Sequence, residues 1–268
     1  EENSAENAGA IGAFFDSNLA LANCRFASNR GFNVGSAAVV DGSVAEILTS
    51  TFSRNIGTGG AVFTVEGAVF LVDDAFEFNE ATSFGGALWV IAATQCVVTN
   101  SFFVQNRADF VGGAVVVEET NCTVTNTSFI QNSADVVGGA VAVAAGIFDV
   151  VSCHFSSNSA LIIGGAIFAV QCTLTVTDAV FTRHGSDLAA AIAIQDGFNC
   201  TISGTQFSQN VAAQATVDIV SSNVRIVSSS FLSNVADFAS AVQALRSSVT
   251  FIDNEFTQNF ATFSSAIR

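Results

Sequence analysis

The sequence predicts an all-β fold, a right-handed parallel β-helix (solenoid) of about ten rungs with about 25–26 residues per rung. Three observations predict it. First, a phenylalanine recurs at Phe26, Phe52, Phe76, Phe103, Phe129, Phe155, Phe181, Phe207, Phe231 and Phe256, at gaps of 24 to 27 residues. Asparagine follows three residues later every time except at His184. Second, Gly-Gly-Ala recurs in phase at Gly59, Gly85, Gly112, Gly138 and Gly164. Third, β-branched and aromatic runs such as Ala114–Val117 alternate with Asn, Asp, Ser and Gly clusters, and no stretch keeps helical apolar spacing. A fixed period of this size means one supersecondary unit that buries its core only by stacking on its neighbours.

Each repeated letter has a physical role in that fold. A unit of about 25 residues fits three short strands and three turns, with rungs about 4.8 Å apart. Parallel crossovers are right-handed, which sets the hand. The phenylalanines form an internal aromatic stack. The asparagines suit turns, because they tolerate left-handed backbone and their amides can bond from rung to rung. His184 replaces one of them as a turn residue. The glycines permit positive φ or a tight corner, and later rungs relax the motif to Ala189-Ala190-Ala191, Ser240-Ala241 and Ser264-Ser265-Ala266.

Beyond each Gly-Gly-Ala, alternate positions are apolar and should face the core: Val62, Leu88, Val115, Val141 and Ile167, then Val90, Val117 and Val143. The intervening column should point outward. Its Phe63, Trp89, Val116 and Phe168, with Ala142 and Ala193, would form an exposed apolar stripe, the candidate assembly interface. The chain reads as one β-helix domain, 1–268, starting and ending inside a repeat. Open parallel edges of that kind invite head-to-tail addition.

Composition narrows the function. Eight Arg and no Lys face 23 acidic residues, a net charge of −15, which excludes nucleic acid as a partner. Pro, Met and Tyr are absent as well. Mean hydropathy is high at +0.52, yet the longest apolar runs, around 136–148 and 160–170, are interrupted by Gly-Gly. Neither reaches the roughly 20 residues of a membrane helix, so no transmembrane segment is expected. No signal peptide is visible, so a mature chain or a fragment is expected.

The six cysteines fall on the repeat. Cys96 and Cys122 each lie seven residues before their phenylalanine, so adjacent rungs should place them within disulfide reach. Cys172 and Cys200 also occupy consecutive rungs, offset by two residues, and form the second candidate pair. Cys24 and Cys153 share a column but lie five rungs apart, too far to join. There is no Cys-x-x-Cys, and only His154 and His184 could assist, so neither metal nor cofactor is expected. Three N-glycosylation sequons begin at Asn121, Asn126 and Asn199. Together with disulfides they point to an extracellular or cell-surface protein.

Phe-x-x-Asn followed by Gly-Gly-Ala-(Ile/Val/Leu) resembles the repeat of the polymorphic outer-membrane protein family, surface adhesins and autotransporter passengers. The resemblance covers nearly the whole chain, with Asn3 to Ile11 and Phe256 to Ile267 as part-repeats. It implies a right-handed parallel β-helix with an adhesive or structural role outside the cell. The chain shows no membrane β-barrel portion and would correspond to a passenger.

Many parallel β-helices cleave polysaccharides, which needs carboxylates gathered on one outer face. The best candidates are Asp109 and Asp135, equivalent positions in adjacent rungs, with no gathering of Arg beside them expected. An ice-binding face would need a regular Thr array, and the threonines near 123–127 are not expected to continue. The reading is therefore a non-enzymatic extracellular structural or adhesive rod, a subunit of a self-assembling fibre or surface layer. Its partners would be itself, head-to-tail or laterally, or other surface proteins and glycans. The alternative is a polysaccharide-binding or polysaccharide-cleaving, pectate-lyase-like β-helix.

Overall fold

A computed structural model describes residues 3–6, 8–32, 34–263 and 267. Every element among them is a strand, and the strands pair in parallel from coil to coil. The chain is a β-solenoid with the expected period. Phe103 pairs with Phe76 and Phe129, and Phe129 in turn with Phe155, so the sequence repeat is the strand register. The part-repeat Ser264-Ser265-Ala266 lies outside the described residues.

A typical coil has four strands rather than three. Around Phe129 they are Val115–Glu118, Cys122–Thr125, Ser128–Ile130 and Ser133–Ala134. The fourth is only two residues long, too short to show any alternation in sequence. Stacking yields sheets of ten, eleven and eighteen strands. The eighteen-stranded sheet joins two columns, because the eleven-residue strands Val141–Val151 and Ile167–Thr177 run through both.

Many corners share one pattern. A residue with positive φ turns the chain, and the next residue sends its side chain inward to cap main chain of the adjacent coil. Gln105 (φ 53°) and Gln131 (φ 55°) precede Asn106 and Asn132, while Asn100 (φ 51°) and Asn126 (φ 49°) precede Ser101 and Thr127. The left-handed residue is therefore the one before the repeated asparagine. The asparagine itself is buried as an internal amide. Asn106 donates from its main-chain N–H and its Nδ2 to Asn132 Oδ1 at 2.9 and 3.0 Å, and from Nδ2 to the Phe76 carbonyl at 2.9 Å. This ladder runs from Asn3 to Asn158 and resumes from Asn210 to Asn259. Each net bond contributes about 1 kcal/mol, and an orphaned buried partner costs about 1–3 kcal/mol.

A second ladder occupies the corner two residues before most of the phenylalanines, broken at Cys153 and Ala179. The Asp74 N–H donates to Ser101 Oγ, the Ser101 N–H to Thr127 Oγ1, and the Ser50 N–H to Asp74 Oδ1. Between the ladders, the phenylalanines from Phe26 to Phe256 stack with centroids 4.6 to 5.1 Å apart and ring planes within 15°. Burial of each interior ring contributes about 1.5–3 kcal/mol. Val62, Leu88, Val115, Val141, Ile167, Val90, Val117 and Val143 all line the core. Glycine is required where Gly112 takes φ +64°, and at Gly139, where a Cβ would press on the Gly165 carbonyl oxygen.

Candidate interaction surface

The outward column is not an exposed stripe. Phe63 and Val116 are buried, and so are Ala142 and Ala193. Trp89 and Phe168 are half-buried. The cover is the turn that precedes each Gly-Gly-Ala. Phe84, Val111, Val137 and Ile163 pair with one another in parallel as a ladder of single bridges. Phe84 packs on Trp89 at 4.9 Å between ring centroids, and Trp89 packs equally close on Phe63. Ile163, Ala189 and Ala193 form a small second core, with Val137, Phe168 and Leu188 against it. Trp89 Nε1 donates to Glu118 Oε1 at 2.9 Å. The sequence signal for this layer is an apolar residue immediately before four of the five glycine pairs, Thr58 being the exception.

The surface outside this layer is apolar in its own right. Phe110, Leu161 and Ile162 are 53, 64 and 45% exposed. Main-chain bonds align Phe110, Val136, Ile162 and Leu188: Val136 N–H donates to the Phe110 carbonyl, Ile162 to Val136 and Leu188 to Ile162. Beside this ridge, the small Ala142 between Val116 and Phe168 leaves an apolar hollow of ≈ 210 Å³, edged by Phe84, Val111 and Val170. Two of the four residues named for the interface, Val116 and Phe168, therefore line the hollow, but the exposed contact residues are those of the covering turns.

Cys96 and Cys122 are register partners, 4.4 Å apart at Cα, and form a disulfide. Cys172 and Cys200 do not join. The register places Cys172 beside Gly146, while Cys200 Sγ sits under the Leu174 N–H at 3.4 Å, two residues further along the strand. Both are buried free thiols. Cys24 and Cys153 are free as well. Burial pushes the Cys153 thiol up to about 11 and that of Cys172 up to about 12.

Asn121, Asn126 and Asn199 are exposed. Asn121 Oδ1 accepts the Ile147 N–H at 3.0 Å, and Asn199 is a corner residue with φ 51°. Asp109 and Asp135 come together, but not as an unpaired acid pair. The Arg107 guanidinium bridges them with 2.6 Å contacts to each. Among the described residues no group of three or more His, Cys, Asp or Glu side chains gathers in a metal-binding cluster.

Two buried titratable groups sit in the ladders. Asp74 occupies a Ser/Thr place, accepting the N–H of Ser50 at 2.7 Å and of Val72 at 3.0 Å. Burial pushes its carboxyl up to about 7, against the lowering effect of those two bonds. His184 is buried, and desolvation holds its imidazole down at about 3. It is therefore a neutral ladder residue and not exposed to any substrate.

No family model matches the chain. No curated protein matches it either. Among solved structures, the surface protein and adhesin PfbA of Streptococcus pneumoniae aligns over 94% of this chain and 91% of its own. The identity is 10% and the TM-score 0.27. At that level the likeness carries no weight for function, and the β-helix assignment rests on this chain's own strand register.

Proposed function

We propose that the chain is a non-enzymatic structural and adhesive rod of the cell exterior, joined laterally to further copies of itself through the apolar ridge of its covering turns. The observation that carries this reading is the ridge, where Phe110, Leu161 and Ile162 stand 45 to 64% exposed beside an apolar hollow. Exposed apolar surface that continues over adjacent coils marks a protein contact. The hollow beside Ala142 offers a recess for the protruding Leu161 or Ile162 of a second copy. Several well-buried side chains at about 25 cal/mol per Å² would offset the entropy of association. The Cys96–Cys122 disulfide supports an oxidising compartment. The repeat's resemblance to surface adhesins supports the same location.

The test is light scattering of the purified chain at rising concentration, with electron microscopy of the same samples. Concentration-dependent growth, abolished in Leu161→Asp with Ile162→Asp, is the expected result. A monomer at every concentration would overturn the assembly reading. Growth unchanged in the double variant would move the contact elsewhere on the rod.

A further inference from the structure

Further along the same outward column, the apolar residues give way to polar ones. Asp218 pairs with Ala193 on one side and Gln243 on the other, so the two polar side chains share a face on adjacent strands. Strand spacing puts such neighbours about 4.8 Å apart. Asp218 is only 4% exposed, and its Oδ1 has no hydrogen-bond partner. The Oε1 of Gln243 is also buried and unpartnered. The other end of that amide is engaged, Gln243 Nε2 donating to Gln214 Oε1 at 3.0 Å. Gln214 and Gln243 edge a cavity of ≈ 280 Å³ shared with Phe238, Ala244 and Leu245.

Buried acceptors are rarely left bare. Here two of them belong to register partners, and a single proton would serve both. A protonated carboxyl donates through its O–H, and a glutamine Oε1 accepts. An amide can also be turned end for end within nearly the same volume, exchanging donor for acceptor.

We infer that Asp218, Gln243 and Gln214 form a relay in which the proton on Asp218 sets the hydrogen-bonding character of the cavity. With Asp218 protonated, its O–H donates to Gln243 Oε1, Gln243 Nε2 donates to Gln214 Oε1, and Gln214 offers its Nε2 to the cavity. With Asp218 ionised, both amides turn over. Gln243 Nε2 then donates to the carboxylate, Gln214 Nε2 donates to Gln243 Oε1, and Gln214 Oε1 faces the cavity. The cavity thus takes ligands bearing an acceptor such as a carbonyl in acid, and ligands bearing a hydroxyl or amine donor at higher pH.

The groups packed on Asp218 leave this equilibrium to burial. Ala193, Gln243 and Gln214 carry no charge, and Asp187 and Asp237, in the turns of the covering layer, are exposed. Desolvation pushes the Asp218 carboxyl up to about 6, against the Ile219 N–H, which lowers it. The switch therefore lies within reach of ordinary extracellular pH.

The experiment is an NMR titration of the whole chain from pH 4 to 8, following the Asp218 carboxyl carbon and the side-chain amides of Gln214 and Gln243. All three should move with one midpoint near 6. In Asp218→Asn, which carries no titrating group at this position, the two glutamine signals should stay constant from pH 4 to 8. Glutamine amides that stay still while Asp218 titrates would overturn the relay, as would amides that titrate unchanged in D218N or an Asp218 that titrates near pH 4. The wild-type titration decides the matter even if the variant does not fold.

Discussion

The Asn158 main-chain N–H donates to His184 Nδ1 at 3.1 Å, the place where an amide oxygen sits in the other described coils of the ladder. The substitution is incomplete. Imidazole accepts on Nδ1 but leaves Nε2 buried without a partner. Asn158 Nδ2 retains its bond to the Phe129 carbonyl, yet no longer has an amide oxygen in the next coil. His184→Asn restores both the acceptor for Asn158 and a donor towards Asn210. It should stabilise the rod by about 1–2 kcal/mol. Its effect should also grow in acid. The folded-state value near 3 lies below the ordinary 6.5, so stability is lost as pH falls from about 6.5. Thermal melts of the two proteins at pH 7 and pH 4 test this; a variant that melts no higher at either pH would refute it.

Asn132 lies in the uninterrupted part of the same ladder. Its Oδ1 accepts two donors from Asn106, and its own Nδ2 reaches the Phe103 carbonyl and Asn158 Oδ1. Asn132→Ala orphans the buried Asn106 N–H and leaves the Phe103 carbonyl without its side-chain donor. A loss of roughly 2–5 kcal/mol is expected in urea unfolding. An unchanged midpoint would mean that the internal amides contribute little.

Asp74 carries the opposite pH signature from His184. Its folded-state value of about 7 lies above the ordinary 3.8. The folded chain therefore holds the proton more tightly, and stability falls as pH rises from about 4 to 7 and then levels. Asp74→Ser installs the side chain found at Ser50 and Ser101, which accepts from one coil and donates within its own. The variant should lose this decline and be the more stable protein above pH 7. Melting curves at pH 4, 5.5, 7 and 8 decide it, and parallel pH profiles for variant and parent would count against a buried charge at this corner.

Non-reducing peptide mapping should link Cys96 to Cys122 and leave four free thiols. In the native state Cys24, the half-exposed one, should alkylate first. Cys153 and Cys172 should react only on unfolding, because burial keeps them protonated at pH 8. Cutting the disulfide frees a loop of about 26 residues, which loop-closure entropy values at about 3.5 kcal/mol. A linked Cys172–Cys200 peptide would contradict the two-residue offset between those strands.

Period, strand direction, core columns and the Cys96–Cys122 pair were legible in the sequence because each repeats or aligns at the coil length. Four features were not. The two-residue strand after each asparagine is shorter than any alternation that could reveal it. The Ser101, Thr127 and Asp74 ladder mixes residue types, since any small acceptor fills that corner, so no single letter recurs. The covering turns hid the outward column: nothing in the sequence gives Phe84, Val111, Val137 and Ile163 a place, and only tertiary contact shows them folded back over Trp89 and Phe168. Arg107 was likewise invisible as a partner of Asp135, because the neighbour it needs lies one coil away.

The ring spacing stays constant while the chain between rings does not. Phe52 and Phe76 stack at 4.8 Å across 24 residues, and Phe76 and Phe103 at 4.9 Å across 27. The register shows where the difference goes. Gly57 leads to Val62 in one coil where Ala81 leads to Leu88 in the next, and Val65 to Ala68 becomes Ile91 to Gln95. Added residues are taken up outside the bore, at a corner and in the covering turn, and the phenylalanine gauge never registers them. One more residue inserted between Ile91 and Gln95 should meet the same tolerance and leave the diameter and pitch of the rod unchanged.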